Sequence, residues 1–297
     1  MLKRRYAIAG NTIQISGEGV DSLPGFDFFF CHPALDAGTP ERVMLTIRGL
    51  RVGPAMTEDV PPVFVSEYED TSYDLSVKDD VYIFRMRKTD GSCLLAEIHP
   101  EDADFQAIIN FTSDFNVYSL KFVCWLLFGV AALSRQTVSI HSSVVMHQGK
   151  SVFFLGESGT GKSTQTQLWL NHIPETELLN DDSPFIRVEA DGNIRAYGSP
   201  WSGKTSCYKN LCTPIAAFVR LSQAPYNRIR RLAGIEALGA LLPSCPFAFA
   251  YDKRLSEQVY SILSQTLSQL PVYHLECLPD EDAARLVYET LKQNNHL

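Results

Sequence analysis

Residues 156–163 read Gly-Glu-Ser-Gly-Thr-Gly-Lys-Ser, and this stretch decides how the rest of the chain is interpreted. It matches G-x-x-x-x-G-K-[ST], the pattern of a loop that binds phosphates. The five residues before it, 151–155, are almost wholly apolar, as in a buried strand. Residues 162–170 contain neither glycine nor proline, as in a helix. Strand, loop and helix therefore occur in the order that a phosphate-binding loop requires.

The residue types of this loop suit a nucleoside triphosphate with Mg²⁺. Its glycines can adopt positive φ angles, which lets backbone N–H groups close on phosphate oxygens. Lys162 would place a positive charge at the β- and γ-phosphates, and the Ser163 hydroxyl can coordinate Mg²⁺. We expect the nucleotide to be bound by consecutive residues: Gly156, Glu157, Ser158, Gly159, Thr160, Gly161, Lys162, Ser163 and Thr164.

Two adjacent carboxylates follow about 20 residues after the loop lysine. Asp181 and Asp182 end a short apolar stretch, in Leu-Leu-Asn-Asp-Asp (178–182). One can bind Mg²⁺, and the other can accept a proton from an attacking hydroxyl. Adjacent strand residues point to opposite faces, so a kink or strand end must bring both acids to the site. The alternative is that residues 180–184 form an ordinary polar turn.

Composition limits the class of protein. Lys and Arg number 26 and Asp and Glu 34, a net charge of −8, which disfavours broad binding to nucleic acid. The seven cysteines form no C-x-x-C pair, as expected of reduced thiols in the cytoplasm. The N-terminus lacks the apolar core of a signal peptide, and the most apolar run, 122–133, is too short to span a bilayer. We expect a cytoplasmic protein without a membrane partner.

The chain is predicted to divide into two parts. Residues 1–115 are expected to form a β-rich domain of unknown role, because short apolar or alternating segments, among them Phe26 to Phe30, are separated by turn residues. A helix is predicted over Asp114 to Ser134, which has a strongly apolar face. Residues 116–297 are expected to form an α/β domain that carries the phosphate loop.

Three segments together resemble a known family. Ser-Ile-His at 139–141, the loop at 156–163 and Leu-Leu-Asn-Asp-Asp at 178–182 are similar to the catalytic domain of the HPr kinase/phosphorylase family. That family shares its nucleotide-binding architecture with the phosphoenolpyruvate carboxykinases. The segment 197–205 also resembles a loop of HPr-kinase-related proteins of unassigned substrate, some of which act on peptides. The resemblance covers roughly residues 117–297 and implies an α/β P-loop fold.

The resemblance also implies roles for single residues. Asp181 would be the base toward the acceptor hydroxyl and Asp182 would lie at the metal, although the two roles could be exchanged. His141 would lie near the acids and the γ-phosphate. Lys204 would occupy the place of a cation that steadies the transferred charge, the alternative being an exposed turn lysine. ATP as the nucleotide follows from the family and not from a base-reading motif.

The function expected from the sequence is an ATP- and Mg²⁺-dependent kinase. It would transfer the γ-phosphoryl group to a hydroxyl on a protein, a peptide or a small molecule. The alternatives are a nucleotide hydrolase or carboxykinase-like enzyme, and a non-catalytic module that senses nucleotide. The N-terminal 115 residues do not resemble those of the bifunctional HPr kinases, so HPr itself is not assigned as the acceptor. The oligomeric state stays open, a homo-oligomer included.

Overall fold

The computed structural model describes residues 3–20, 22–31, 42–51, 60–101, 104–112, 115–203 and 205–297. Contacts between residues divide the chain into two compact units. Unit 1 comprises Met1–Arg135 and Ala248–Ser256, and unit 2 comprises Gln136–Phe247 and Glu257–Leu297. The sequence had suggested a division at 115/116, before the first long helix, whereas the units divide after it. Lys204 lies outside the described residues.

Unit 1 is built on an eight-stranded mixed sheet. Its strands are β1 (Lys3–Ile8), β2 (Asn11–Gly17), β3 (Val43–Leu50), β4 (Pro62–Tyr68), β5 (Thr71–Lys78), β6 (Val81–Lys88), β7 (Cys93–Glu101) and β8 (Asp104–Phe111). The strand order is β1-β2-β3-β8-β7-β6-β5-β4. Side chains along a strand alternate between the two faces of the sheet. In β8, Ala107, Ile109 and Phe111 are accordingly buried, whereas Ile108 is exposed.

Helix α1 (Val117–Leu133) belongs to unit 1 and begins at a polar cap. The side chain of Asn116 accepts a hydrogen bond from the backbone N–H of Ser119, which satisfies a free donor of the first turn. Most of the helix is buried, and Leu127 and Phe128 have no solvent exposure. Among the described residues, no helix has both the length and the apolar character required to cross a membrane.

The predicted strand over Phe26 to Phe30 is wrong, because Phe26–Phe29 form a short 3₁₀ helix. Side chains three residues apart lie on the same side of such a helix. Phe26 and Phe29 are accordingly buried, and Phe28 is exposed. Aromatic residues favour strands in general, so the local sequence offered no signal for this tighter turn.

Unit 2 contains a nine-stranded mixed sheet. Its strands are β9 (Thr137–Ser139), β10 (Ser142–His147), β11 (Lys150–Leu155), β12 (Thr176–Asp182), β13 (Phe185–Val188), β14 (Ile194–Tyr197), β15 (Cys212–Gln223), β16 (Arg228–Leu232) and β17 (Val272–Cys277). The main path is β12-β10-β11-β15-β14-β13-β9, and β17 pairs with both β15 and β16. Among the described strands of unit 2, β11–β15 and β15–β17 are parallel pairs and the other pairs are antiparallel.

Among the described residues there are four further α-helices, α2 (Lys162–His172), α3 (Gly234–Leu241), α4 (Lys253–Gln269) and α5 (Glu281–Gln293), and two further 3₁₀ helices, Leu242–Ser244 and Phe247–Tyr251. Helices α2 and α5 contribute Trp169, Val287 and Leu291 to a buried core that includes Phe154 and Leu275 of the sheet. Asp280 caps α5, because its side chain accepts from the backbone N–H of Ala283. This core holds α2 against the strand that leads into the phosphate loop.

The predicted fold class, an α/β domain like those of phosphoenolpyruvate carboxykinase and HPr kinase behind a small β-rich domain, is wrong. The protein is mostly β, with two large mixed sheets, one of them a half-barrel. The physical reason is connectivity: the antiparallel pairs β10–β11 and β13–β14 are joined by short turns, which add strands without adding helices. The strand–loop–helix pattern was therefore a local feature that did not determine the class of the whole chain.

Candidate functional site

The loop 156–163 joins β11 to α2 within unit 2. Gly156, Gly159 and Gly161 have φ angles of +157°, +84° and +107°, a region that favours glycine. Gly161 is the N-cap residue of α2. The glycines thus turn the chain sharply from the strand into the helix, whose N-terminus carries a partial positive charge suited to an anion.

The shape of the loop 156–163 brings the Thr160 side chain close to the backbone of Gly156. The Thr160 hydroxyl donates a hydrogen bond of 2.8 Å to the carbonyl oxygen of Glu157. A Cβ atom added at Gly156 would lie 2.2 Å from that hydroxyl oxygen. Glu157, Ser158 and Gly159 are exposed, so the outer part of the loop is accessible to a ligand.

The ammonium of Lys162 is held inside the curve of the loop. It donates hydrogen bonds to the carbonyl oxygens of Gly156 at 2.7 Å and Glu157 at 3.1 Å. Partial burial lowers the pKa of Lys162 from its usual value, and the charges of Asp182 and Asp181 partly offset that effect. Both predicted acids are therefore electrostatic neighbours of the loop lysine.

The two acids lie at the end of β12, next to β10. In the antiparallel register, Asp181 lies opposite Ser143 and Asp182 opposite Ser142. Thr166 of α2 donates a buried hydrogen bond of 2.7 Å to Ser143. This bond ties the helix that follows the loop to the strand that neighbours the acids.

Asp181 faces the first turn of α2. The Ser163 hydroxyl donates a hydrogen bond of 3.2 Å to Oδ1 of Asp181. The Asp181 side chain is buried, whereas Ser163 is exposed. The resemblance placed Asp182 at the metal with Ser163 and allowed the two acids to exchange roles; the acid that contacts Ser163 in the structure is Asp181.

Asp182 has an unusual backbone conformation and a histidine partner. Its φ angle of +148° is rare for any residue other than glycine and supplies the kink that two adjacent acids need. Its Oδ1 lies 3.2 Å from Nδ1 of His141, and both side chains are partly exposed. His141 lies between β9 and β10, outside both strands.

A buried asparagine, which the sequence had not marked as functional, holds the acidic strand end in place. The Nδ2 of Asn180 lies 3.2 and 3.3 Å from the carbonyl oxygens of Ser199 and Trp201. Its Oδ1 accepts the backbone N–H of Ser183. Asn180 therefore fixes the chain on both sides of Asp181 and Asp182.

Lys204, the cation expected from the resemblance, lies outside the described residues, and a different cation, Arg220, lies beside the loop. Arg220 is in register with Leu155, the residue just before the loop, on the parallel strand β15. Its Nη2 lies 3.5 Å from Oε1 of Glu157, and its charge contributes to lowering the pKa of Lys162. The sequence did not single out Arg220, because the carboxyl ends of β11 and β15 become neighbours only in the folded sheet.

The side chains fit a cation that is bound together with phosphates. Mg²⁺ usually takes one or two carboxylates with substrate phosphates and water, and Ser163 and Asp181 supply a hydroxyl and a carboxylate. In the part of the chain that the structure describes, no group of three or more His, Cys, Asp or Glu side chains could hold a metal ion. A cation at Ser163 and Asp181 would therefore take its remaining ligands from the nucleotide and from water.

No protein-family model matches the chain, and comparison with curated proteins finds no relative. The chemistry of the site is therefore inferred from its own geometry: a glycine-rich loop, a lysine, a hydroxyl and two carboxylates within one unit.

Proposed function

We propose that this protein binds ATP with Mg²⁺ and transfers the γ-phosphoryl group to a hydroxyl of a protein, peptide or small-molecule acceptor. The observation that carries the proposal is the position of two consecutive residues at the start of α2, Lys162 and Ser163. Ser163 contacts Asp181, and the charges of both acids raise the pKa of Lys162 against the effect of its burial. Phosphoryl transfer needs this combination of charge neutralisation and positioning.

The contacts support an exchange of the roles first implied for the two acids. Asp181, hydrogen-bonded to Ser163, is the better placed to bind Mg²⁺ with that hydroxyl. Asp182, more exposed and paired with His141, is the better placed to accept the acceptor's proton. His141 is then a positioning residue that orients the Asp182 carboxylate.

The transfer can be written with its atoms balanced. The acceptor oxygen forms a bond to the γ-phosphorus, its proton passes to the Asp182 carboxylate, and the bond from the γ-phosphorus to the bridging oxygen breaks to release ADP. Bound Mg²⁺ would neutralise charge on the phosphate oxygens. Lys162 and Arg220 would offset the remaining negative charge near the loop.

Two further observations support parts of this proposal. The segments 139–141, 156–163 and 178–182 resemble the HPr kinase/phosphorylase family, and membership of that family is proposed on these local segments alone, since the protein does not have the α/β fold that the resemblance implied. A cytoplasmic location is also part of it, supported by the seven cysteines, all of which are free.

The test is binding followed by transfer. Because a ligand that binds the folded state stabilises it by mass action, millimolar Mg·ATP should raise the melting temperature by roughly several degrees. Lys162→Ala should remove most of that rise. Lys292→Ala is the matched control, because Lys292 is an exposed lysine that lies over the Tyr288 ring of α5, outside the loop.

Incubation with γ-labelled ATP and cell extract then tests the reaction. Label in a new acceptor with the wild type and the Lys292 variant, but not with the Lys162 variant, would support a kinase. Label only in free phosphate would indicate a hydrolase. Tight binding without any turnover would indicate a nucleotide sensor, and absence of any melting shift would overturn the proposal.

A further inference from the structure

A cavity of about 510 Å³ opens beside the phosphate loop. One wall is formed by Gly159–Gly161 and by Gln165 of α2. The other wall is formed by Ala224 after β15 and by Leu278 after β17. Pockets of roughly 300–1,000 Å³ are typical of small-molecule sites. The cavity therefore has the size of a ligand site and adjoins the proposed phosphate site.

Strand order places this cavity on the opposite side of the loop from the acids. In the sheet, β11 lies between β10 and β15, so the loop that follows β11 has β12 beyond β10 on one side and β17 beyond β15 on the other. Asp181 and Asp182 end β12, whereas Ala224 and Leu278 follow β15 and β17. A triphosphate with its γ-phosphate at the acids would extend its other end toward the cavity.

The cavity walls are fixed by the fold. The Gln223 side-chain amide donates a hydrogen bond of 3.1 Å to the carbonyl oxygen of Gly159, which connects the end of β15 to the loop. The backbone N–H of Ala224 donates to the carbonyl of Cys277, and that of Leu278 donates to the side chain of Asn227. These contacts hold apolar groups opposite the loop, as required for stacking against a base or sugar.

One buried amide at this cavity is unsatisfied. Gln165 is only 2% exposed, and its Nε2 has no hydrogen-bond partner among the described residues. A buried polar group without a partner is costly, and because Gln165 lines the cavity, a small rotation of its side chain would let a ligand there supply the missing partner. A glutamine amide offers one donor and one acceptor side by side, the pair that the N6/N7 edge of adenine matches.

We propose that this cavity holds the nucleoside of the bound triphosphate, with Gln165 hydrogen-bonded to an adenine base. The inference rests on the proposed nucleotide-binding function and adds the direction of the nucleotide and the residue that reads its base. The γ-phosphate lies toward Asp181 and Asp182, and the base lies toward Leu278.

The test compares Mg·ATP with Mg·tripolyphosphate, which has the three phosphates but no nucleoside, by calorimetry. The wild type should bind ATP at least about tenfold more tightly, because only ATP reaches the cavity. Equal binding of the two would overturn the nucleoside site and leave the phosphate site intact. Binding of neither would overturn the proposed function and the nucleoside site together.

Two variants locate the contacts. Gln165→Met removes a donor and an acceptor, so it should weaken ATP binding at least about fivefold, the equivalent of one neutral hydrogen bond, and should narrow the preference for ATP over GTP. Ala224→Trp should fill the cavity and remove the advantage of ATP over tripolyphosphate. Gln167→Met, on the same helix but exposed and hydrogen-bonded to Asn171, should change neither.

Binding of tripolyphosphate shows whether the phosphate loop keeps its native structure in each variant. A Gln165 or Ala224 variant that binds tripolyphosphate normally and still binds ATP as the wild type does would overturn the inference. A loss of both ligands in one variant would be resolved by the other variant, since the two substitutions perturb different walls of the cavity.

Discussion

The Ser163 hydroxyl donates a hydrogen bond to Oδ1 of Asp181 across 3.2 Å, which joins the first turn of α2 to the end of β12. If these oxygens bind Mg²⁺ in the nucleotide complex, Asp181→Asn should raise the Mg²⁺ concentration for half-maximal label transfer by at least roughly 10- to 100-fold, the loss caused by removing a group that only supports a metal ligand. The measurement is a Mg²⁺ titration at fixed γ-labelled ATP with cell extract as the acceptor source. Asp282→Asn, an exposed acid in the first turn of α5, is the control. An unchanged Mg²⁺ requirement in Asp181→Asn would place the cation elsewhere.

Substitutions in the His141–Asp182 pair should lower the rate of transfer and should not be rescued by additional Mg²⁺. Asp182→Asn should reduce transfer about 10²- to 10⁴-fold at saturating Mg²⁺, because the acceptor's proton loses its base, while the melting shift with Mg·ATP remains. His141→Gln should lower kcat less than Asp182→Asn, alter the pH–rate profile and leave the KM for ATP similar, since it acts only by orienting Asp182. Full activity in Asp182→Asn, with loss in Asp181→Asn at saturating Mg²⁺, would restore the original assignment of the base.

Arg220 is expected to act on charge and not on folding. Arg220→Gln should lower the rate of transfer about tenfold or more, because a cation beside the loop is removed, with a smaller effect on ATP binding. Arg228→Gln is a matched control: Arg228 lies on β16 and pairs with Glu276. The ratio of transfer rates for the two variants is the measurement, and a ratio near one would remove Arg220 from the site.

Gly156 tests whether the shape of the loop matters. Gly156→Ala places a methyl group against Thr160 in a backbone region unsuited to alanine, so it should abolish the melting shift with Mg·ATP and destabilise the fold by about 1–3 kcal/mol. Gly149→Ala in the β10–β11 turn has a similar conformational cost, at φ +80°, but meets no atom within 4 Å. That control should lose some stability and keep the melting shift. Retained binding in Gly156→Ala would contradict the loop's role.

The proximity of the loop to the two acids was more predictable from the sequence than the fold class was. The loop motif is contiguous, so residues 156–163 and the acids at 181 and 182 could be identified from spacing alone, and the structure brings them together. Arg220 could not, because its relation to the loop arises from strand pairing between residues 65 positions apart, Leu155 and Arg220. Asn180 was also missed, since two of its partners, Ser199 and Trp201, lie 19 and 21 residues away along the chain.

The predicted fold class was wrong for a related reason. A strand–loop–helix pattern predicts its own immediate neighbourhood and not the number of antiparallel strands around it. Strands such as β13 and β14 are only four residues long, too short for a clear alternation of buried and exposed positions. Their place in the sheet is determined by pairing with strands distant in the sequence, which the pattern of a single sequence does not reveal.

His274 gives a prediction about stability and pH. Burial lowers the pKa of His274 below its usual 6.5, and Arg230, Arg220 and Arg228 act in the same direction while Glu276 opposes them. Between 6.5 and the lower folded pKa, the unfolded chain binds more protons than the folded chain, so stability falls as pH falls through this window and levels off below it. The loss of unfolding free energy should be well under the ceiling of about 1.4 kcal/mol per pH unit, because His274 is only partly buried.

Urea unfolding of wild type and His274→Gln at pH 7.5 and 5.5 measures this loss. The variant, which keeps a polar group beside Ser222, should lose less stability on acidification. An equal or larger loss in the variant would mean that the His274 pKa is not lowered by folding.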